Sequence, residues 1–223
     1  INDSDEYAQL GDWELGAPSD NASSGEWEET IPVGSYGEPG VASSQVAPLL
    51  DHTIGFSGYC FLTGVSPGSD AGIGANDVDA GHTTLLSPVM DLTLYENPVL
   101  SYWRWYANAP ATGANPSSDW WQVEISSDAG DSWQYLENTL QQDISWRRNA
   151  FRVADYLDIT DEFQIRFIAS DSTTVGEYLD GGSLIEAALD DIILYDVVAP
   201  NNIIAPLIYD DTRVSLSPNP ASE

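Results

Sequence analysis

The chain has 223 residues, with 36 Asp and Glu against only six basic residues, all of them Arg, and a formal net charge of −30. Such a chain cannot neutralise rows of phosphates, which excludes nucleic acid and anionic membrane surfaces as partners. The hydrophobic content of 42% suffices for one packed core. No apolar run reaches the ~18 residues of a membrane helix, which argues against membrane insertion. Cys60 is the only cysteine, so no internal disulfide and no cysteine-based zinc site can form.

Short strands separated by turns are predicted along most of the chain. Residues 1–9 are expected to form a polar lead-in, and Trp13 and Trp27 to anchor two short strands. Residues 34–58, rich in Gly, Pro and Ser, predict a long loop that carries a solvated His52. Strand-forming residues between turn signals then predict strands at 59–63, 83–87, 89–94, 99–107, 120–126, 132–138, 147–153, 163–170 and 184–195. Many strands without a convincing helix predict an all-β, two-sheet antiparallel sandwich.

Residues 126–133 match the Asp-box pattern Ser-x-Asp-x-Gly-x-x-Trp. The Asp128 side chain and Gly130 favour a tight hairpin turn, and Trp133 is expected to pack beneath it. The motif predicts a well-ordered turn and says nothing about glycosidase activity.

An acidic, glycine-rich stretch precedes the strand that begins at Thr83. Carboxylates on a tight loop beside a strand are hard oxygen ligands of the kind that calcium binds. We predict a calcium site among the acidic and amide side chains of three segments, namely Asp20, Asn76, Asp77, Asp79, Asp190 and Asp191. Strand alternation sends Asp190 and Asp191 to opposite faces, so at most one of them should reach a shared ion. The alternative is that these residues form turns and caps.

Arginines lie among aromatic residues in the predicted strands. Alternation in 101–107 places Arg104 and Tyr106 on one face, where Arg166 of a later strand would join them. Aromatic rings beside Arg form sugar-binding surfaces, so Arg104, Tyr106 and Arg166 are candidate glycan-binding residues. In a chain with so few cations, the alternative is that each Arg pairs with a carboxylate and braces a sheet.

The stretch Gly74–Thr93, GANDVDAGHTTLLSPVMDLT, resembles a jelly-roll module found in large secreted bacterial proteins, distantly related to the MAM adhesion domains. Similar segments continue in the same order over residues 10–196, at Asp20–Gly34, Ser101–Asn108, Ser145–Tyr156, Ile165–Asp171 and Gly182–Leu194. The resemblance implies a two-sheet jelly-roll β-sandwich with bound calcium and no enzyme activity of its own.

The composition changes after residue 196. Residues 197–212 are expected to form a linker. Residues 213–223 contain Pro-Asn-Pro after a short apolar strand and resemble the start of the C-terminal sorting domain of type IX secretion. A polyproline-like linker is the alternative for these prolines.

Motifs for catalysis are absent from the sequence. The two histidines, His52 and His82, form no HExxH motif, and no Gly-x-Ser-x-Gly elbow occurs. Together with the resemblance to the secreted jelly-roll module, this leads us to expect a non-catalytic module, secreted or at the cell surface, that binds a glycan or another cell-surface polymer and adjoins upstream domains of the same protein. The alternatives are a structural spacer or adhesin unit and an accessory domain of a secreted metallopeptidase.

Overall fold

The computed structural model describes residues 13–36, 45–53, 58–65, 74, 76–108, 117–171 and 183–197. The predicted lead-in, nearly all of the linker and the sorting segment lie outside these residues. Within them the chain forms eleven strands and one short 3-10 helix, Val153–Asp155. The strands are β1 (Trp27–Thr30), β2 (Ser35–Tyr36), β3 (Gln45–Ala47), β4 (Cys60–Thr63), β5 (His82–Leu86), β6 (Pro98–Ala107), β7 (Trp121–Ser126), β8 (Gln134–Thr139), β9 (Asp143–Arg152), β10 (Gln164–Ser170) and β11 (Glu186–Asp196).

The strands build two main antiparallel sheets and a small hairpin. The five-stranded sheet has the order β1-β4-β11-β6-β9, the four-stranded sheet has the order β5-β10-β7-β8, and β2 pairs with β3. Successive strands often lie in different sheets, as in jelly rolls. The predicted all-β, two-sheet antiparallel sandwich is confirmed.

Some predicted strand boundaries were wrong. The segment 89–94 is not a strand, because the Asp91 side chain accepts hydrogen bonds from the backbone and hydroxyl of Thr93 and closes a turn. The predicted loop 34–58 contains the hairpin strands β2 and β3. The predicted strand near Trp13 is reduced to one bridge between residues 14 and 86. These pieces are short and held by tertiary contacts, which strand periodicity does not detect.

The main core lies between the two large sheets. Alternate residues of β6, among them Leu100, Tyr102 and Tyr106, point into it and meet Trp121 and Phe167 from the opposite sheet. Each large aromatic side chain buries much apolar area in a core of this kind. A fully buried residue typically contacts 6–12 others, so this face of β6 is closed to ligands.

The outer face of the five-stranded sheet is partly covered. The Trp105 indole donates a hydrogen bond to the Val46 carbonyl of β3 (2.7 Å) and packs with Cys60 and Leu62 of β4. Cys60 is fully buried here, as predicted, and burial, followed by the charge of Asp190, raises the pKa of its thiol. The hairpin thus covers the end of this face that carries Trp105.

Candidate functional site

The loop 76–80 is held tightly against the segment that precedes β1. The Ser24 hydroxyl donates a hydrogen bond to the Asp77 carbonyl (2.8 Å). Gly25 has φ +75°, and a Cβ there would lie 2.5 Å from the Val78 Cα, so only glycine fits this close approach. The loop is therefore anchored on its outer side while the Asp77 side chain is buried.

Asp77 carries a buried carboxylate without a hydrogen-bonded partner. Asp77 is only 1% exposed, and no hydrogen-bond donor lies in good geometry to either oxygen of its carboxylate. Burial, followed by the charge of Asp79, raises the pKa of Asp77 to about 7; the backbone N–H groups of Asp77 and Ile185 oppose this in part, and Asp171 adds to it. An ionised carboxylate here is unfavourable unless a cation accompanies it.

Two more buried acids lie near Asp77. Glu186 opens β11, and its pKa is raised, first by burial and then by Asp77, although the Ser35 hydroxyl opposes this by donating a hydrogen bond (3.3 Å). Asp171 follows β10, is buried, and accepts a hydrogen bond from the Ala80 backbone (2.8 Å). The acidic end of the sandwich thus gathers carboxylates from three separate parts of the chain.

The fit to calcium rests on Asp77. Among the described residues, no group of three or more His, Cys, Asp or Glu is placed closely enough to hold a metal. The unbonded, buried oxygens of Asp77 match a hard cation, and Asp79 is the acid that most raises its pKa. Of the six predicted ligands, Asp77 and Asp79 are the pair that act on each other at the acidic end of the sandwich.

Asp20 and Asn76 have other roles in this structure. The Asp20 carboxylate accepts hydrogen bonds from the Ala17 backbone (2.9 Å) and from the backbone (2.8 Å) and hydroxyl (2.7 Å) of Thr84. The Asn76 amide donates to the Val65 carbonyl (2.5 Å). These contacts correspond to the turn-forming alternative, because each side chain fastens one loop to another.

Asp190 and Asp191 lie in a different cluster from Asp77, and the predicted alternation fails there. The register of β11 shifts after Asp190, and Asp191 has φ +46°, so both carboxylates reach the same loop. Asp190 accepts hydrogen bonds from the backbone of His52 (2.8 Å) and Thr53 (3.3 Å). Asp191 contacts the His52 Nδ1 (2.7 Å) and accepts a hydrogen bond from the Thr53 hydroxyl (2.5 Å). The prediction that they point to opposite faces was wrong, because a β-bulge separates them.

This aspartate pair positions an aromatic wall on the outer face of the five-stranded sheet. The His52 ring stacks on Trp103 of β6 with centroids 3.6 Å apart and an angle of 18°. Trp146 of β9 meets His52 edge-on at 6.2 Å and donates a hydrogen bond to the Leu50 carbonyl (3.1 Å). The prediction of a solvated His52 was wrong, since its ring is held between a carboxylate and an indole.

Polar residues lie next to these aromatic rings on the same outer face of the sheet. Arg148 lies opposite Trp103 in the β6–β9 register. Its guanidinium donates to the Ser101 hydroxyl (3.0 Å) and to the Tyr195 hydroxyl (3.5 Å), and it has no ion pair with any described residue. Ile193 is 36% exposed on the same face. We call the surface formed by His52, Trp103, Trp146, Arg148 and Tyr195 the aromatic cleft.

The predicted glycan residues do not share one sheet, so that expectation was wrong. Arg104 of β6 is 1% exposed and pairs with Glu137 (2.6 Å) and Asp143 (3.0 Å). Tyr106 is buried in the same core, whereas Arg166 belongs to β10 of the other sheet. Arg104 is therefore a buried brace, as the alternative held, because alternation turns it between the sheets.

Among known proteins, only solved structures are similar to this chain, and the likeness is in the fold. No family model matches the chain and no curated protein matches it. The carbohydrate-binding module TmCBM61, solved with β-1,4-galactotriose, is 10% identical with a TM-score of 0.40 and covers 86% of this chain and 94% of its own. The K1 cleaved adhesin domain of Lys-gingipain from Porphyromonas gingivalis W83 is 17% identical with a TM-score of 0.38, covering 83% and 98%.

A third neighbour is the Clostridium thermocellum xylanase 10B CBM22-1–GH10 structure with xylohexaose, which is 10% identical with a TM-score of 0.33 and covers 86% of this chain and 30% of that one. At these scores the likenesses assign neither a family nor a ligand to this chain. Among the described residues, no helix is long and apolar enough to cross a membrane. The class that fold and site define is an antiparallel β-sandwich module with an aromatic cleft on one outer face.

Proposed function

We propose that this chain is a non-catalytic, calcium-stabilised β-sandwich module of a secreted or cell-surface bacterial protein, and that it binds a glycan in the aromatic cleft. The observation that carries the proposal is the half-exposed His52–Trp103 stack beside Arg148. Sugar rings pack their apolar faces on aromatic side chains, while fixed polar groups hydrogen-bond the hydroxyls. The cleft combines both features on strands of a sheet, where side chains are preorganised.

The electrostatics of the cleft favour a neutral glycan. The chain carries a net charge of −30, which repels polyanions at long range. Within the cleft, Arg148 supplies hydrogen-bond donors and the Asp191 carboxylate, which contacts His52, supplies acceptors. Neutral hexose or pentose polymers match this mixed site better than uronic acid polymers do.

Calcium binding is proposed at the acidic end of the sandwich. The support is the buried Asp77 carboxylate, whose oxygens lack donors, beside the acid Asp79. A bound calcium ion would supply positive charge that offsets the repulsion among these carboxylates. Asp77 and Asp79 would hold it directly, while the Ser24 hydrogen bonds keep their loop in place.

The rival functions are a structural spacer or adhesin unit and an accessory domain of a metallopeptidase. An inert spacer has no need for an arginine that lacks an acid partner on an open aromatic face. The resemblance of residues 213–223 to a type IX sorting signal supports export as part of the same proposal, by analogy alone.

Affinity electrophoresis through neutral polysaccharides tests the cleft. The panel is β-1,4-galactan, xylan, mannan and mixed-linkage glucan, with polygalacturonate as an anionic comparison. Arg148→Ala should weaken binding to the best neutral ligand about 10-fold, as expected for loss of a polar anchor. Arg147→Ala is the matched control, because it removes the same charge from the neighbouring position on the opposite face of β9. Equal binding by wild type and Arg148→Ala would refute the cleft.

A further inference from the structure

The outer face of the four-stranded sheet carries a second aromatic and polar surface. The Arg166 guanidinium lies over the Trp133 ring, 4.2 Å from its centroid, and pairs with Glu124. In the strand register, β7, β8 and β10 place on this face only these two charges, which neutralise each other. The part of the face formed by these three strands is therefore charge-balanced, although the chain has 36 acidic residues.

The rest of this surface is an ordered row of uncharged groups. The Gln122 amide donates hydrogen bonds to the Tyr135 hydroxyl (3.3 Å) and to the Asn138 carbonyl oxygen (3.1 Å). The Tyr135 ring is nevertheless 43% exposed. Side chains that already hold one another lose little entropy when a ligand arrives, and their remaining amide donors and acceptors stay available.

The Asp-box turn fixes the position of this surface. The Ser126 hydroxyl donates to the Asp128 carboxylate (2.6 Å), which in turn accepts a hydrogen bond from the Ser132 backbone (2.8 Å). This confirms the predicted turn and places Trp133 directly before β8. Trp133 and Arg166 therefore form a rigid border beside the exposed Tyr135.

We infer that this face, formed by Gln122, Trp133, Tyr135, Asn138 and Arg166, is a second binding face for neutral glycans. Tyr135 supplies the stacking ring, and the two amides and the guanidinium supply hydrogen bonds to sugar hydroxyls. The outer faces of the two sheets point in opposite directions, so the module would bridge two polysaccharide chains. Bridging rests on the proposed function of the aromatic cleft, whereas the second face is testable alone.

Single-face variants separate the two sites. The same neutral polysaccharide panel is used with Tyr135→Ala for the second face and with the double variant Arg148→Ala, Tyr195→Ala for the cleft. Tyr156→Ala is the matched control, because Tyr156 is 40% exposed and its ring packs against Phe151 near the end of β9, away from both faces.

We expect Tyr135→Ala to lose about 10-fold in affinity at its face and to leave the cleft binding intact, so that titration with an oligosaccharide of the best ligand falls from two molecules per chain to one. Unchanged binding by Tyr135→Ala together with loss in the cleft variant would overturn the second face and support the cleft. The reverse pattern would support the second face and refute the cleft. Failure of the wild type to bind any member of the panel would overturn both.

Discussion

Replacing Asp77 by Asn should stabilise the sandwich in the absence of calcium. The pKa of Asp77 rises from 3.8 to about 7 on folding, which corresponds to about 4 kcal/mol of destabilisation once the group is ionised. Because the folded pKa is the higher one, this group favours the folded state below pH 3.8 and loses that contribution as the pH rises through 7. The neutral amide avoids the charge but leaves its own polar atoms without partners, at a cost of about 1–3 kcal/mol.

The net expectation in chelator at pH 8 is a gain of about 1–3 kcal/mol for Asp77→Asn. For a domain of this size, each kcal/mol changes the melting temperature by roughly 2–4 °C. In calcium this difference should shrink or reverse, because the wild type gains about 2.7 kcal/mol at a hundredfold excess of calcium over its Kd. The variant has lost the carboxylate and should gain little.

The assay is thermal unfolding followed by circular dichroism, at pH 5 and pH 8, in chelator and in millimolar calcium. Asp91→Asn is the matched control, since Asp91 is exposed and its pKa is lowered by the Thr93 side chain. It removes the same charge from the chain without removing a buried acid. If Asp77→Asn is destabilised in chelator at pH 8 as much as at pH 5, the buried charge is not unfavourable and the reasoning is wrong. If Asp77→Asn is more stable than the wild type in chelator but calcium leaves the melting temperature of the wild type unchanged, the calcium site is refuted and the buried-charge argument stands.

Three further outcomes follow from other contacts. Asp79→Ala should abolish the calcium-induced rise in melting temperature; a rise that persists would move the site away from this loop. Arg104→Met should cost about 3–5 kcal/mol in urea denaturation, because it leaves buried carboxylates unpaired, while Arg152→Met, which breaks an exposed pair, should change stability by less than about 1 kcal/mol. Asp191→Ala should loosen the loop 51–53 and increase acrylamide quenching of tryptophan fluorescence, since two side-chain contacts to that loop are lost while the two backbone hydrogen bonds to Asp190 remain; unchanged quenching would show that the His52–Trp103 stack does not depend on Asp191.

The sequence predicted the sandwich because the period-2 pattern survives in the long central strands. In β6 the alternation correctly places Tyr102, Arg104 and Tyr106 on one face and Trp103 and Trp105 on the other. It does not say which face meets the opposite sheet. Tyr102, Arg104 and Tyr106 lie on the face that packs against the opposite sheet. The predicted glycan-binding residues of β6 are therefore buried ones.

The aromatic cleft was missed because it depends on long-range contacts. Arg148 lies opposite Trp103 only through the β6–β9 register, and His52 reaches Trp103 through a loop anchored by residues about 138 positions away along the chain. The β-bulge at Asp191 has no signal in residue type, since its positive φ occurs at a residue other than glycine. The tryptophans of β6 were the one local signal available. Trp103 and Trp105 lie on the same face of β6, and two tryptophans on the outer face of one strand are a pattern that could have indicated a binding surface.

The scarcity of cations makes the position of each arginine informative. Arg104 is buried between two carboxylates, those of Glu137 and Asp143. Arg147 and Arg152 each pair with an acid close by in the sequence. Arg166 pairs with Glu124 on the neighbouring strand β7. Arg148 alone of these five has no acid partner among the described residues, although the chain has six acids for every arginine. A guanidinium held by two hydroxyls beside an aromatic wall has donors left for a ligand, and neutral hydroxyls match them without opposing the charge of the chain.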